Sequence, residues 1–472
     1  MRITLSKNRN DEIFAIVLAA GMGKRMKSDK PKVLAPISGK PMVVRILQQL
    51  TGLNIKSTAV VVGHLGSMVK DAVSTYTPSG IIWAEQKEQR GTGDAANCGL
   101  TSLGDVSGTI LITAGDTPLL SKTTLENLLK LHSQENSTVS VLSFEAKNPH
   151  GYGRIIKDNQ GRVLGIREEK DCSENERDIS EVNSGVYAVE SAFLKKALQS
   201  LEPKNAQGEL YLTDIVGKAV SEGQHVATYK SNQEQEFIGV NDHKQLAEAQ
   251  EIAMNKKIEE VLSNGVRIVN PSTVYIEDDV TIEAGSIIGP NVQLLGKTRI
   301  GKNVTFEGSA YLIDTVVEAG ASIKFGVRAE SAFIGSESSV GPFAHLRPDA
   351  KLGKEAKVGN FVEIKKATLG DGAKASHLSY IGDAEVGANA NIGAGTITCN
   401  YDGYKKSKTV IGAGAFIGSN SSLVAPVKIG DGAIVGAGSV ITKDVTNDAL
   451  AVERSDQREI PGWAKRKRDS QK

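Results

Sequence analysis

Cysteine is nearly missing from this chain. The three present, Cys98, Cys172 and Cys399, stand far apart in 472 residues and show no metal-ligand spacing. They exclude a disulfide framework and point to a reducing compartment. Net charge is nearly missing too. Acids and bases cancel to a formal +1, so no global field attracts nucleic acid or a membrane surface. The apolar stretch Ile13–Met22 is far too short to span a bilayer. The charged N-terminus (Arg2, Lys7, Arg9, Asp11, Glu12) lacks the apolar centre of a signal peptide. A soluble, cytoplasmic protein without membrane insertion is expected. Aromatics are scarce (10 Tyr, 10 Phe, 2 Trp) beside 49 Gly, as a tightly coiled repeat needs. The length predicts two or more domains.

The repeat itself runs from Ile276 to Ile441 in steps of six. Apolar residues fall at Ile276, Ile282, Ile288, Leu294, Ile300, Phe306 and Leu312. They fall again from Ile334 through Val340, Leu346, Leu352 and Val358 to Ile364, and from Ile411 through Ile417, Leu423, Ile429 and Val435 to Ile441. Gly often follows the beat (Gly289, Gly301, Gly335, Gly353, Gly412, Gly430). Six fits neither the 3.6 of a helix nor strand alternation; it predicts a parallel β-helix with the beat residues inside. The register breaks at 313–333, 365–385 and 393–410, where loops are expected to leave the coil. Lys365, His377, Tyr380, Asn400 and Tyr401 lie in the second and third breaks.

The first half reads differently. Ile13–Leu18 is a buried strand followed by the loop Ala19-Ala-Gly-Met-Gly-Lys-Arg25, with Pro31-Lys32-Val33 soon after. Glycines let backbone N–H groups cradle an anion, and Lys24, Arg25 and Lys32 add positive charge. The loop is neither a Walker A motif nor a complete dinucleotide fingerprint. Strands at Thr58–Val62, Ile81–Trp83 and Thr109–Thr113 alternate with helical segments near Met68–Val73 and after Gly91-Thr92-Gly93. That order predicts a mostly parallel α/β sheet of Rossmann-like type, with ligands at the carboxyl ends of the strands. Asp116 stands at such an end and suits a magnesium ion. Asp242 to Leu262 carries a helical apolar pattern that stops at Asn264-Gly265, predicting a strut about 30 Å long between the domains. The basic tail Lys465–Arg468 has no aromatic platform and reads as a solvated terminus.

Leu18-Ala-Ala-Gly-Met-Gly-Lys-Arg-Met26 with Pro31-Lys32 resembles the signature of sugar-1-phosphate nucleotidyltransferases, Lys24 replacing the usual Ser or Thr. Gly151-Tyr-Gly-Arg154, Arg167-Glu-Glu-Lys170, Glu181-Val-Asn-Ser-Gly185, Gln207–Asp214 and Gly239-Val-Asn241 follow, each by itself a turn or a charged surface. Asn391-Ile-Gly-Ala-Gly-Thr-Ile-Thr-Cys-Asn-Tyr-Asp-Gly403 is the most specific motif of the second half. In this order the motifs resemble the bifunctional N-acetylglucosamine-1-phosphate uridyltransferase/glucosamine-1-phosphate acetyltransferase family over essentially the whole chain after residue 12.

The resemblance implies a uridyltransferase domain over 1–240, a linker helix over 241–263 and an acetyltransferase β-helix over 264–472, left-handed and homotrimeric, with acetyl-transfer sites shared between subunits. It implies UTP and acetyl-coenzyme A as co-substrates and Mg²⁺ as cofactor. Leu18, Ala19, Ala20, Gly21, Gln86, Gly91 and Thr92 would hold the uridine nucleotide, and Arg25 and Lys32 its phosphates. Asp116 and Asn241 would bind the metal, and Gly153, Glu168 and Asn183 the N-acetylated sugar. In the second domain Arg347 and Lys365 would bind the sugar phosphate, with Tyr380 and Asn391 as further substrate contacts. His377 would be the general base, oriented by Glu363. Ala394, Asn400, Tyr401, Ser419, Ala437 and Arg454 would meet the acetyl donor, and Cys399 is structural. Transfer of an acetyl group needs a neutral amine, which a histidine base supplies. Uridylyl transfer needs alignment and charge neutralisation instead. The rival readings are a monofunctional nucleotidyltransferase with a regulatory β-helix, and a non-enzymatic scaffold.

Overall fold

The structure is a computed structural model that describes residues 12–471 except Met22 and 77–79, so the charged N-terminal stretch lies outside it. The chain divides into two compact units, meeting in sequence at Ala253 and Met254. No helix among the described residues is long and apolar enough to cross a membrane.

The Ile13–Ala19 strand organises the first unit. Its side chains alternate: Phe14 and Ile16 enter one apolar layer, while Ala15, Val17 and Ala19 enter the other. A strand apolar on both faces must be covered on both. The helix Thr92–Leu103 contributes to the first layer and the helix Met42–Leu50 to the second. The main path of the sheet runs Val226–Ser231, Val139–Glu145, Glu181–Glu190, Thr109–Ala114, Ile13–Ala19, Ile55–Val62, Ile81–Glu85. Only Glu181–Glu190 is antiparallel to its neighbours on this path. It corrects the reading of Glu181–Gly185 as a turn: Asn183 sits in a strand with a bulge before Tyr187, and Gly185 takes φ +80° within it. From Ile13–Ala19 the chain first adds strands on one side, then crosses to place Thr109–Ala114 on the other. This reversal opens a crevice at the carboxyl ends of those two strands, where the Gly115 N–H donates to the Leu18 carbonyl at 2.8 Å.

The helix expected over 242–262 is His243–Ser263. Ala249 and Ala253 pack with Ile37, Met42 and Val240 in the first unit. Ile258 and Val261 join the core of the second.

That second unit is a three-faced coil. Its three sheets hold 11, 10 and 9 strands, and within each sheet every strand but the two at the ends lies between strands of the coils before and after it, all in parallel. The beat residues point inward into one continuous core from Ile268 to Ile441. This is the predicted parallel β-helix. The three breaks, however, differ in kind. Leu294 lies over Leu312, Leu312 over Ala329 and Ala329 over Leu346. The last two coils are one residue shorter than the first, and no loop leaves at 313–333. The same shortening places Ile364 over Ile381, so 365–385 is coil as well. Lys365, His377 and Tyr380 therefore lie on strands. The residue is saved at the corner between the second and third faces, where Asp314, Lys366 and Asp383 adopt left-handed backbone and turn the chain more tightly. Only the third break is an insertion. Thr398 lies over Leu423 and Val386 over Ile411, and the segment between Asn400 and Lys408 leaves the coil there. The basic tail is an exposed helix, Trp463–Asp469.

Candidate active sites

In the first unit the strand Ile13–Ala19 delivers Ala20 and Gly21 to the crevice. Pro31 then starts a short turn, Lys32–Leu34, that buries the stem of Lys32. A Cβ on Gly23 would stand 2.6 Å from the Lys32 Cβ, so only glycine lets this loop fold over the lysine. The Lys32 ammonium donates to Asp116 Oδ2 at 2.5 Å and to Asn241 Oδ1 at 2.8 Å. Asn241 is itself held: its Nδ2 donates to the Gly239 carbonyl at 3.3 Å, and its N–H to Gln245 Oε1 at 2.8 Å. The Val240 N–H donates to the Asp116 carbonyl at 2.9 Å, fixing the two segments side by side. Two hard oxygen donors thus converge on one point. Among the described residues no group of three or more His, Cys, Asp or Glu could hold an ion. A pair of oxygens, completed by phosphates and water, fits Mg²⁺.

Arg25 stands exposed on the Lys24–Met26 turn. Gln86 is buried and donates from Nε2 to the Gly91 carbonyl at 3.0 Å and to Asp94 Oδ2 at 2.9 Å. Gly91 has φ +117°, and a Cβ there would meet the Leu210 carbonyl oxygen at 2.5 Å. Thr92 uses its hydroxyl to accept from the Leu212 N–H at 3.0 Å. Among the residues expected to meet the sugar, the Asn183 N–H donates to the Gly153 carbonyl at 2.8 Å. A Cβ on Gly153 would lie 3.6 Å from Glu168 Oε2. Gly153, Glu168 and Asn183 are therefore neighbours, although far apart in sequence. Burial pushes the Glu168 carboxyl above its usual range, and the Thr213 hydroxyl, donating at 3.0 Å, opposes this.

The second unit arranges its residues along two edges of the prism. His377 ends the first-face strand Lys374–His377, directly over Asn360 of the preceding coil. His377 Nδ1 lies 2.8 Å from Asn360 Oδ1; an amide oxygen accepts, so Nδ1 carries the hydrogen and the Nε2 lone pair is free. Glu363, expected to orient His377, instead pairs with Arg347 at 2.8 Å. The continuing register places Ala394 over Ser419 and Ser419 over Ala437, where the Ala394 carbonyl accepts from Asn420 N–H and the Ser419 carbonyl from Gly438 N–H. Arg454 reaches back to the Ala437 carbonyl at 3.1 Å. The proposed base and four expected donor contacts thus share one edge.

Across the second face, Arg347 and Lys365 stand at the other edge. Lys365 has two like charges and one carboxylate, Asp383, near it. The Lys406 ammonium, first, and then Arg347 hold its pKa below the ordinary lysine value. Asn400 is buried and donates to Asp383 Oδ2 at 2.5 Å. A Cβ on Gly382 would meet both the Tyr380 hydroxyl and Asn400 Nδ2, at 2.4 and 2.8 Å. Asn391, on the first face in register with Lys374 and Phe416, lies around the corner from Tyr380. Tyr401 is exposed, its hydroxyl donating to the Gly403 carbonyl at 2.6 Å.

Residues 15–178 match the MobA-like NTP transferase domain, and residues 408–443 the bacterial transferase hexapeptide, six repeats. The "Bifunctional protein GlmU" of Carboxydothermus hydrogenoformans is 45% identical over 94% of this chain and 98% of its own. That of an Exiguobacterium species is 44% identical over 96% and 100%, and that of Brevibacillus brevis 45% over 94% and 96%. The chain belongs to the bifunctional GlmU family. It is a two-activity transferase, a nucleotidyltransferase unit followed by a hexapeptide acetyltransferase unit.

For a GlmU-family chain, the structure also places against the candidate residues several side chains that sequence reasoning did not single out. Asn360 holds the histidine, Lys406 joins the cationic pair, Asp383 fixes Asn400, and Gln89 Nε2 donates to the Ala20 carbonyl at 2.5 Å. The Lys405-Lys406 pair inside the third break was a visible signal for one of these. The others become neighbours only once coil lengths and strand order are known.

Proposed function

We propose that this protein makes UDP-N-acetylglucosamine in two steps. The second unit transfers acetyl from acetyl-coenzyme A to glucosamine-1-phosphate, and the first then transfers uridylyl from UTP to N-acetylglucosamine-1-phosphate, releasing pyrophosphate. The observation that carries the reading is the pairing of two chemistries on one chain: a histidine with a free Nε2 at one edge of the coil and a cationic cluster at the next, and a lysine set between two metal-type oxygens.

In the acetyl-transfer site, Arg347, Lys365 and Lys406 hold the sugar phosphate. The close approach of three cations makes a dianion the natural occupant. Nε2 of His377 removes the proton from the sugar's ammonium group, and the neutral amine attacks the thioester. The donor lies along the edge marked by Ala394, Ser419, Ala437 and Arg454, and Asn400 and Tyr401, which stand at the other edge, reach its acetyl end from a neighbouring copy. In the uridylyl-transfer site, Leu18 to Gly21, Gln86, Gly91 and Thr92 enclose the nucleotide. Arg25 and Lys32 draw the phosphates together, and Gly153, Glu168 and Asn183 orient the acetylated sugar. Mg²⁺ held by Asp116 and Asn241 supplies charge neutralisation between phosphates.

The assembly proposed is a homotrimer of left-handed helices in the cytoplasm, with divisions at 1–240, 241–263 and 264–472. Two features support a partner copy. Phe325, Phe343, Phe361 and Leu378 form an exposed apolar ladder beside His377, the phenylalanine rings in successive contact. Such a ladder invites burial. Asn391 also faces away from Tyr380, so a second copy is needed to bring both onto one substrate. The test is to supply glucosamine-1-phosphate, acetyl-coenzyme A, UTP and magnesium and to identify products by mass. Acetylated sugar phosphate and the UDP-sugar are expected; acetylation without any consumption of UTP would overturn the first-unit half.

A further inference from the structure

We infer that Lys32 is an internal counter-ion that occupies the metal position, and that divalent-ion binding to the nucleotide-free protein requires its displacement. The inference rests on the reading of Asp116 and Asn241 as the metal ligands and goes beyond it by setting Lys32 in competition with the ion.

The Lys32 ammonium lies 2.5 Å from Asp116 Oδ2 and 2.8 Å from Asn241 Oδ1. An ion bound by those same two oxygens at about 2.0–2.1 Å must occupy nearly the same point. Two cations cannot share it, because like charges so close repel strongly even in a well-screened setting. The lysine is also well placed to stay. Its side chain is 9% exposed, its stem lies under Gly23, and both acceptors are braced by backbone contacts.

Displacement needs somewhere for the charge to go. Among the described residues, Asp116 is the acidic group paired with the Lys32 ammonium. A nucleotide triphosphate entering over Gly21 and Arg25 would provide a new anionic partner. Phosphate then draws Lys32 away as the ion arrives, so the ion and the nucleotide bind as a pair and either alone binds poorly. The lysine thereby protects Asp116 from stray divalent ions and keeps its oxygens aligned until substrate comes.

The experiment uses the full chain without nucleotide and Mn²⁺ alone as the probe, with free Mn²⁺ counted by electron paramagnetic resonance. Lys32→Met should tighten Mn²⁺ binding about tenfold or more, although uridylyl transfer falls. Arg25→Met removes equal charge from the same loop without touching Asp116, and should tighten it far less. Equal gains in the two variants would reduce the effect to general field and overturn the inference, as would unchanged or weaker binding in Lys32→Met. Adding Asp116→Asn to Lys32→Met should abolish the gain. If Mn²⁺ binding survives that change, the metal-ligand reading itself is wrong and the two failures are told apart. In the unaltered protein, Lys32 should label more readily with an amine-acylating reagent as Mn²⁺ is raised; labelling that does not change overturns the displacement even should the variants fold poorly.

Discussion

His377 keeps a free Nε2 because Asn360 engages the other ring nitrogen at 2.8 Å. His377→Ala is expected to cut acetyl transfer by about 10²–10⁴-fold, with partial recovery at higher pH as more substrate amine becomes neutral; a rate–pH profile checks both. Asn360→Ala leaves the ring present but unheld, so kcat should fall by roughly tenfold while the affinity for acetyl-coenzyme A is kept, and steady-state kinetics separate the two. Glu168 offers a contrasting case. Burial raises its pKa, so the folded state binds its proton more tightly than the unfolded one. The cost is absent below the ordinary carboxylate range, grows as pH rises from that range towards the raised value, and is complete above it. Glu168→Gln should therefore raise the melting temperature at pH 7 and leave it unchanged near pH 3, while uridylyl transfer drops. A lower melting temperature at pH 7 would mean that the carboxylate is stabilising after all.

At the scale of elements, the beat of six was legible because nearly every interior position carries an apolar side chain, with Thr398 a hydrogen-bonded exception. What it hid was coil length. A coil one residue short shifts the beat, and a shifted beat looks in sequence like an interruption, so 313–333 and 365–385 read as loops although both are coil. His377 and Tyr380 were thus found for their residue types while their setting was misplaced. The strand Glu181–Glu190 was obscured for a different reason: Asn183, Ser184 and Gly185 look like a turn, and only pairing to strands distant in sequence makes them sheet. The glycines after the beat are explained by contact between coils. A Cβ on Gly387 would come 2.4 Å from the Ala413 backbone nitrogen, which cannot move without displacing its coil. Gly387→Ala is expected to destabilise the second unit by about 1–3 kcal/mol, seen as a lower denaturant midpoint, whereas Gly403→Ala, with open space at its Cβ, tests strain from its φ of +98° alone and should cost less.

For the whole molecule, two units with separate cores imply separable activities. A fragment from Met254 onward should fold, self-associate and acetylate, since its coils bury their own interior; sedimentation and an acetylation assay check it, and a fully active monomer would exclude the shared site. One further consequence follows from the edge that carries Asn360, His377, Ala394, Ser419 and Ala437. Successive strands stack about 4.8 Å apart, so this edge is a graduated scale with one mark per coil. From His377 to Ala437 it measures about 14 Å. The reach demanded of an acyl carrier is thereby counted in whole coils. Duplicating one coil between the marks would keep every interior contact and lengthen the scale by a single division, selecting a carrier with a longer arm.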